Sequence, residues 1–233
     1  MYTNSITEQF EYPKYRSASE INSAMAGVYK NMGLAVLVSM CVSYFVGTTP
    51  ELLQFLFTGI TKWIVIFLPL LAVIGIGFAL ASNPPKPIAM GLLLGFAALM
   101  GLSFATIFAV YQMGSIFTAF MSAGILFGVM SFYGYFTKKS LDSIGKFMFI
   151  GLISIVLASI VNIFIGSSVF SMVISSLAII IFMGLTAYDT QKIREMIMEN
   201  NDSDVEVQGA LTLYLDFINI FLSLLQLFGD KKE

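Results

Sequence analysis

The chain has 233 residues, of which 58% are hydrophobic and 11% charged, with a mean hydropathy of +0.87. A soluble domain carries about 25% charged residues, so this composition excludes a soluble protein and describes an all-α, polytopic membrane protein. The net charge of −2 and the lack of any histidine argue against a nucleic-acid partner, histidine-dependent catalysis and most zinc or haem sites.

Residues 1–26 are polar and mixed in charge, from Glu8 and Glu11 through Lys14 and Arg16 to Glu20. Without a basic start and an apolar core, they are expected to form a flexible tail, not a cleaved signal peptide. A crossing helix needs about 20 mostly apolar residues. Seven segments qualify: 27–48, 63–82, 88–111, 114–136, 147–166, 168–187 and 209–228. Turn chemistry separates them at "GTTPE", "NPPKP", "TKKSLDSIGK" and "GSS". The third and fourth join at "YQMG" with hardly any loop, which predicts a tight antiparallel pair. The membrane domain thus covers 27–229, followed by a short tail at 230–233. Cys41, the single cysteine, lies in an apolar run, so no intrachain disulfide forms.

Cytoplasmic flanks collect Lys and Arg. One set of flanks holds Lys14, Arg16, Lys30, Lys86, Lys138, Lys139, Lys146, Lys192 and Arg194; the other holds Lys62, Lys231 and Lys232. Nine against three places the amino terminus in the cytoplasm and, with seven crossings, the carboxyl terminus outside. Tyr44, Trp63 and Tyr111 fit an aromatic belt on the outer side, and Tyr29, Tyr133, Tyr135, Tyr188 and Tyr214 one on the inner side. Gly91-x-x-x-Gly95 and Gly124-x-x-x-Gly128 are expected to bring helices into close contact.

The last span carries Thr212, Asp216, Asn219, Ser223 and Gln226, spaced four, three, four and three. That spacing puts them on one helical face. Lipid cannot satisfy their hydrogen bonds, so the helix is expected to be central or to line a cavity. The stripe serves either as glue between helices or as a pathway. Asp216 lies roughly 10 Å into the span, where a carboxylate costs several kcal/mol unless compensated. Its candidate partner is Asp189 in "GLTAYDTQKIREM", at the membrane edge on the same side. Asp189 could instead pair with Lys192 or Arg194 one turn on. Two aspartates in contact would hold a shared proton and titrate as a unit. They would also present the oxygen ligands that Ca²⁺ prefers.

"FMGLTAYDTQKI" at 182–193, followed by "GALTLYLDFINIFLSLLQLFG" at 209–229, resembles the signature of the Bax-inhibitor family, also called transmembrane Bax-inhibitor-motif proteins. "VYKNMGL", "SFYGYFTKKSL" and "LASIVNIF" extend the resemblance over almost the whole chain, with the look of the bacterial inner-membrane branch. The resemblance implies seven helices with the last wrapped by the other six, a pH-sensitive calcium leak described for some members, and paired aspartates at Asp189 and Asp216. Some relatives carry an arginine at the cytoplasmic end of the second span that latches onto the pair. Here that region reads "LASNPPKP", so Ser82, Asn83 and Lys86, or Lys30 on the first span, are the candidate substitutes.

The reading is a pH-sensitive cation leak, without cofactor and not an enzyme, gated by Asp189 and Asp216, which would also contact calcium transiently. The alternative is a membrane-embedded regulator of a protein partner such as a quality-control protease, with residues 1–26 as its handle. An intramembrane aspartyl protease fits poorly, because "Tyr214-Leu215-Asp216" stands where that class needs Gly-x-Gly-Asp, and a downstream Pro-Ala-Leu is missing.

Overall fold

The computed structural model describes residues 16–199 and 205–232. These form eight helices: α1 (Ala18–Gly47), α2 (Pro50–Phe57), α3 (Thr61–Ala81), α4 (Lys86–Val110), α5 (Met113–Phe136), α6 (Asp142–Ile165), α7 (Ser168–Glu199) and α8 (Val205–Phe228). All but the short α2 are long and apolar enough to cross a membrane. The seven expected spans are thus present, and the protein is a multi-pass integral membrane protein.

Helix ends depart from the apolar runs in two places. α1 begins nine residues before 27, because Ser17 and Glu20 form a capping box: Glu20 N–H donates to Ser17 Oγ at 3.3 Å and Ser17 N–H to Glu20 Oε2 at 2.7 Å. Ile21, Ala24 and Met25 are already buried, so residues 18–26 belong to the bundle and are no tail. Residues 1–15 lie outside the described part. α7 runs 32 residues, about 48 Å at 1.5 Å per residue. It therefore outruns a hydrocarbon core of about 30 Å, and Asp189 sits well inside a continuous helix. The "GSS" break is sharp: Gly166 takes the left-handed conformation (φ 68°) that ends α6.

α8 is the central helix. In its membrane-crossing window 61% of residues are buried, against 6% for α6. It packs along α7, α1 and α5 and more lightly on α4. Not all six other spans wrap it: α3 packs on α4 and α2, and α6 on α7. α3 reaches α8 where Gln208 Nε2 donates to Leu80 O at 2.8 Å. The expected tight pairing of the third and fourth spans is not found, since α4 and α5 touch little beyond their turn and α4 lies along α1 instead.

That α1–α4 seam rests on small residues. A Cβ on Gly101 would lie 2.7 Å from Ser39 O, and one on Gly47 would lie 2.4 Å from Ala105 O. Ala97, Gly101 and Ala105 thus form the small face at four-residue spacing. Gly91, Gly95, Gly124 and Gly128 do not serve this purpose, because an added Cβ would meet nothing within 4 Å at any of them. The seam also locks α8. Ser39 Oγ donates to Ala97 O at 2.8 Å and so accepts from the hydroxyl of fully buried Tyr214 at 2.7 Å. Tyr214 is therefore a core residue and no part of an interfacial belt. Ser39→Ala leaves that hydroxyl without a partner, and the thermal midpoint in detergent should fall by the equivalent of about 1 kcal/mol.

The far end of α8 is clasped as well. Gln112 N–H donates to Asp230 O at 2.9 Å and Lys232 N–H to Val110 O at 2.8 Å, around a bridge between Tyr111 and Lys231. Residues 230–232 are thus fixed to the α4–α5 turn and do not trail free.

Candidate functional site

Asp216 is 4% exposed, buried in the fourth turn of α8. Its side chain and that of Asp189 on α7 line the same cleft as close neighbours. Oδ2 of Asp216 is buried and no nitrogen or hydroxyl donor reaches it. Two neighbouring carboxyl groups can bond each other only with a proton on one of them. The alternative ion pairs of Asp189 do not form: Lys192 Nζ pairs with Glu195 at 3.4 Å, and the Arg194 guanidinium lies over the Tyr135 ring at 5.3 Å.

The residues beside Asp189 pin α7 in place. Thr190 Oγ1 is 3.0 Å from Ser131 Oγ, which is 2.7 Å from the Tyr29 hydroxyl, so one chain of hydroxyls ties α7 to α5 and α1. Gln191 accepts from Leu141 N–H at 2.8 Å and donates to Lys139 O at 2.9 Å, fastening the α5–α6 loop. Asp189 is thus held from two sides, which favours a defined carboxyl position over a mobile one.

Both carboxyls line a cleft of about 840 Å³ walled by α6, α7 and α8, with Val73 of α3 at its edge. Thr212 and Asn219 line it too, and each donates to its own helix: Thr212 Oγ1 to Gln208 O at 3.2 Å, Asn219 Nδ2 to Leu215 O at 2.8 Å. The side-chain oxygens keep lone pairs to offer elsewhere. The rest of the polar stripe lies outside the cleft. Ser223 is buried away from it, and Gln226 Oε1 accepts from Ser175 Oγ at 2.8 Å. The stripe therefore divides into a cleft-lining half, ending at Asn219, and a half that joins or packs between helices.

None of the four candidate latch residues lines the cleft. Lys30 is exposed. Ser82 caps α3 through Ala79 O at 2.7 Å, and Asn83 (φ 52°) makes the turn. Lys86 Nζ bonds Glu206 Oε2 at 2.8 Å in the first turn of α8, and the same carboxylate covers Gly27 of α1. This clasp joins α1, α4 and α8 at the basic end without touching the aspartates. Among the described residues no ion pair reaches Asp189 or Asp216, and no group of three metal-ligating side chains forms.

Lys146 and Tyr188, read from sequence as a basic flank and a belt aromatic, also line the cleft. Their signal is on α6, where Gly145, Phe149, Leu152 and Val156 recur at helical spacing on the cleft wall. A Cβ on Gly145 would come within 2.5 Å of the Tyr188 ring. Gly145 thus lets Tyr188 fold against α6 at the cleft mouth, beside the exposed Lys146.

Residues 21–233 match the family model described as "Inhibitor of apoptosis-promoting Bax1". The chain is 36% identical to inner membrane protein YbhL of Escherichia coli, over 91% of this chain and 93% of that protein. It is 32% identical to an uncharacterized protein of Deinococcus radiodurans (97% and 98% covered) and 35% identical to one of Borreliella burgdorferi (91% and 94% covered).

Proposed function

The chain belongs to the Bax-inhibitor family, and on that premise we propose that it is a pH-sensitive cation leak, with Ca²⁺ as its substrate and the Asp189–Asp216 pair as its gate. The observation that carries this reading is that the Asp189 and Asp216 carboxyls line one cleft, whose lining along α8 ends at Asn219. With one proton between them the carboxyls attract, and α7 stays on α8. When that proton leaves, two unit charges about 4 Å apart at an effective dielectric of about 20 repel by roughly 4 kcal/mol. That is a factor of about a thousand in a two-state equilibrium. Separation would extend the cleft along the stripe toward Ser223 and Gln226. Ca²⁺ prefers oxygen ligands, and two carboxylates without a third give a passing contact that lets it leave.

The same end of the bundle carries Lys86, Lys138, Lys139, Lys146, Lys192 and Arg194, which supports the reading that this end faces the cytoplasm with the amino terminus. The name of the Escherichia coli relative supports an inner-membrane location. The reading is non-enzymatic: the dyad stores a proton and lacks the sequence companions of an intramembrane aspartyl protease. A regulatory role through residues 1–26 has less support, because 18–26 are taken up in α1.

Calcium entry into liposomes containing the purified protein tests the proposal. Flux should rise as the pH on the Asp189 side rises. Flux no greater than through empty liposomes at every pH would overturn it. The Lys86–Glu206 clasp holds the α3–α4 turn onto α8 and opposes widening of the mouth. Its side chains are 48% and 22% exposed, so it contributes about 0.5–1 kcal/mol. Lys86→Met should therefore raise flux at acid pH by roughly two- to fivefold, read in the same assay.

A further inference from the structure

Away from the aspartate cleft, α1 and α5 do not pack closely on each other. They are bridged by Tyr29 to Ser131 at 2.7 Å and by a short bond from the Tyr135 hydroxyl to Asn22 Oδ1. Two cavities meet there. One, of about 540 Å³, is an apolar groove along Met25, Phe127 and Gly128, with Phe132 (66% exposed) and Phe136 (61% exposed) on its outer lip. The other, of about 780 Å³, is polar and holds Lys138, Arg194, Ser140, Gln191 and Glu195 at the basic end. They share Asn22, Tyr135 and Phe136 as lining, so a polar cavity and an apolar groove adjoin there.

The polar end is short of anions. Glu195 already pairs with Lys192. Among the described residues no carboxylate pairs with Lys138 or Arg194. The Arg194 guanidinium is seated over Tyr135 at 5.3 Å, yet its Nε is buried and finds no acceptor. A seated guanidinium that no carboxylate neutralises can take an anion through its terminal nitrogens. Basic pockets between crossing helices at this depth fit lipid headgroups. At the apolar end Gly128 leaves open space, since an added Cβ would meet nothing within 4 Å. The groove there is bordered by the exposed Phe132 and Phe136.

We propose that this site binds an anionic phospholipid of the leaflet at the basic end, its phosphate between Lys138 and Arg194 and one acyl chain in the α1–α5 groove. None of its lining residues lines the aspartate cleft.

Native mass spectrometry of the full chain in detergent, with phosphatidylglycerol and phosphatidylcholine added in equal amounts, tests this. Phosphatidylglycerol should be retained about tenfold or more over phosphatidylcholine. Combined Lys138→Gln and Arg194→Gln should bring the two lipids to parity. Lys139→Gln, which removes a neighbouring charge whose side chain is outside the cavity, should leave the preference intact. Gly128→Leu, whose Cβ has open space, extends into the groove and should lower retention of both lipids. If the double variant does not elute as a folded species, Lys138→Gln alone and Gly128→Leu still decide. Parity in the unaltered protein overturns the proposal. So does an equal loss with Lys139→Gln, which means general surface attraction, or full displacement of phosphatidylglycerol by glycerol 3-phosphate, which means a site for free anions.

Discussion

Replacing both Asp189 and Asp216 with Asn should abolish the pH response of calcium flux in liposomes. The ratio of flux at alkaline to acid pH should fall from roughly tenfold or more to about one. The reason is specific to the contact. Two amides can hydrogen-bond as a protonated carboxyl pair does, and neither can acquire charge, so the pair stays together at every pH. Flux in the double variant should therefore sit at the acid level of the unaltered protein. Either single Asn variant removes the mutual repulsion as well and should lose the alkaline rise. Burial makes this sharp: Asp216 is 4% exposed and its Oδ2 has no donor, so water cannot screen the ionised pair as it does surface charges. Equal thermal midpoints in detergent separate a lost response from lost folding. A double variant that keeps the full pH response removes the pair from the mechanism.

Gly134→Ala should be among the most destabilising single-methyl additions in the bundle. A Cβ at Gly134 would lie 2.1 Å from Ala187 O and 2.8 Å from its carbonyl carbon, against backbone that cannot rotate away. The α5 and α7 backbones must separate to admit it, at a cost of about 3 kcal/mol. Ala187 is two residues before Asp189, and the Ser131–Thr190 bond lies in the same seam. The shift should therefore disturb the aspartate contact as well as the fold. The thermal midpoint in detergent measures the first effect and the pH response of flux the second. Gly91, Gly95, Gly124 and Gly128, each changed to Ala, provide the contrast. They face open space, so their midpoints should hold or rise, because Ala favours the helix over Gly by up to about 1 kcal/mol.

That contrast shows what the sequence discloses and what it hides. Apolar runs report burial in lipid, so the seven crossings are legible. They do not report where a helix stops, which is why α1 starts earlier and α7 ends later than the runs do. The "SASE" capping signal at 17–20 marks the true start of α1. A G-x-x-x-G spacing says that a face is small but not that another helix lies against it. The working seam, Ala97, Gly101 and Ala105, has the same spacing in quieter residues. The stripe on α8 is visible as periodicity. Its division at Asn219 depends on α6 and α7, which cover different lengths of it. Glu206, the partner of Lys86, looks in sequence like any acidic residue in a first helical turn. Its role comes from Gly27 and Lys86 arriving from two other helices.

The central claim is that loss of the shared proton parts Asp189 from Asp216 and opens the cleft beyond Asn219. The most direct measurement is the separation of these two carboxyl groups in structures determined at acid and at alkaline pH. The account predicts hydrogen-bond contact at acid pH. At alkaline pH it predicts carboxyls moved apart, with the cleft continuing to Ser223 and Gln226. Carboxyls in contact at both pH values, in protein whose calcium flux still changes with pH, would contradict it.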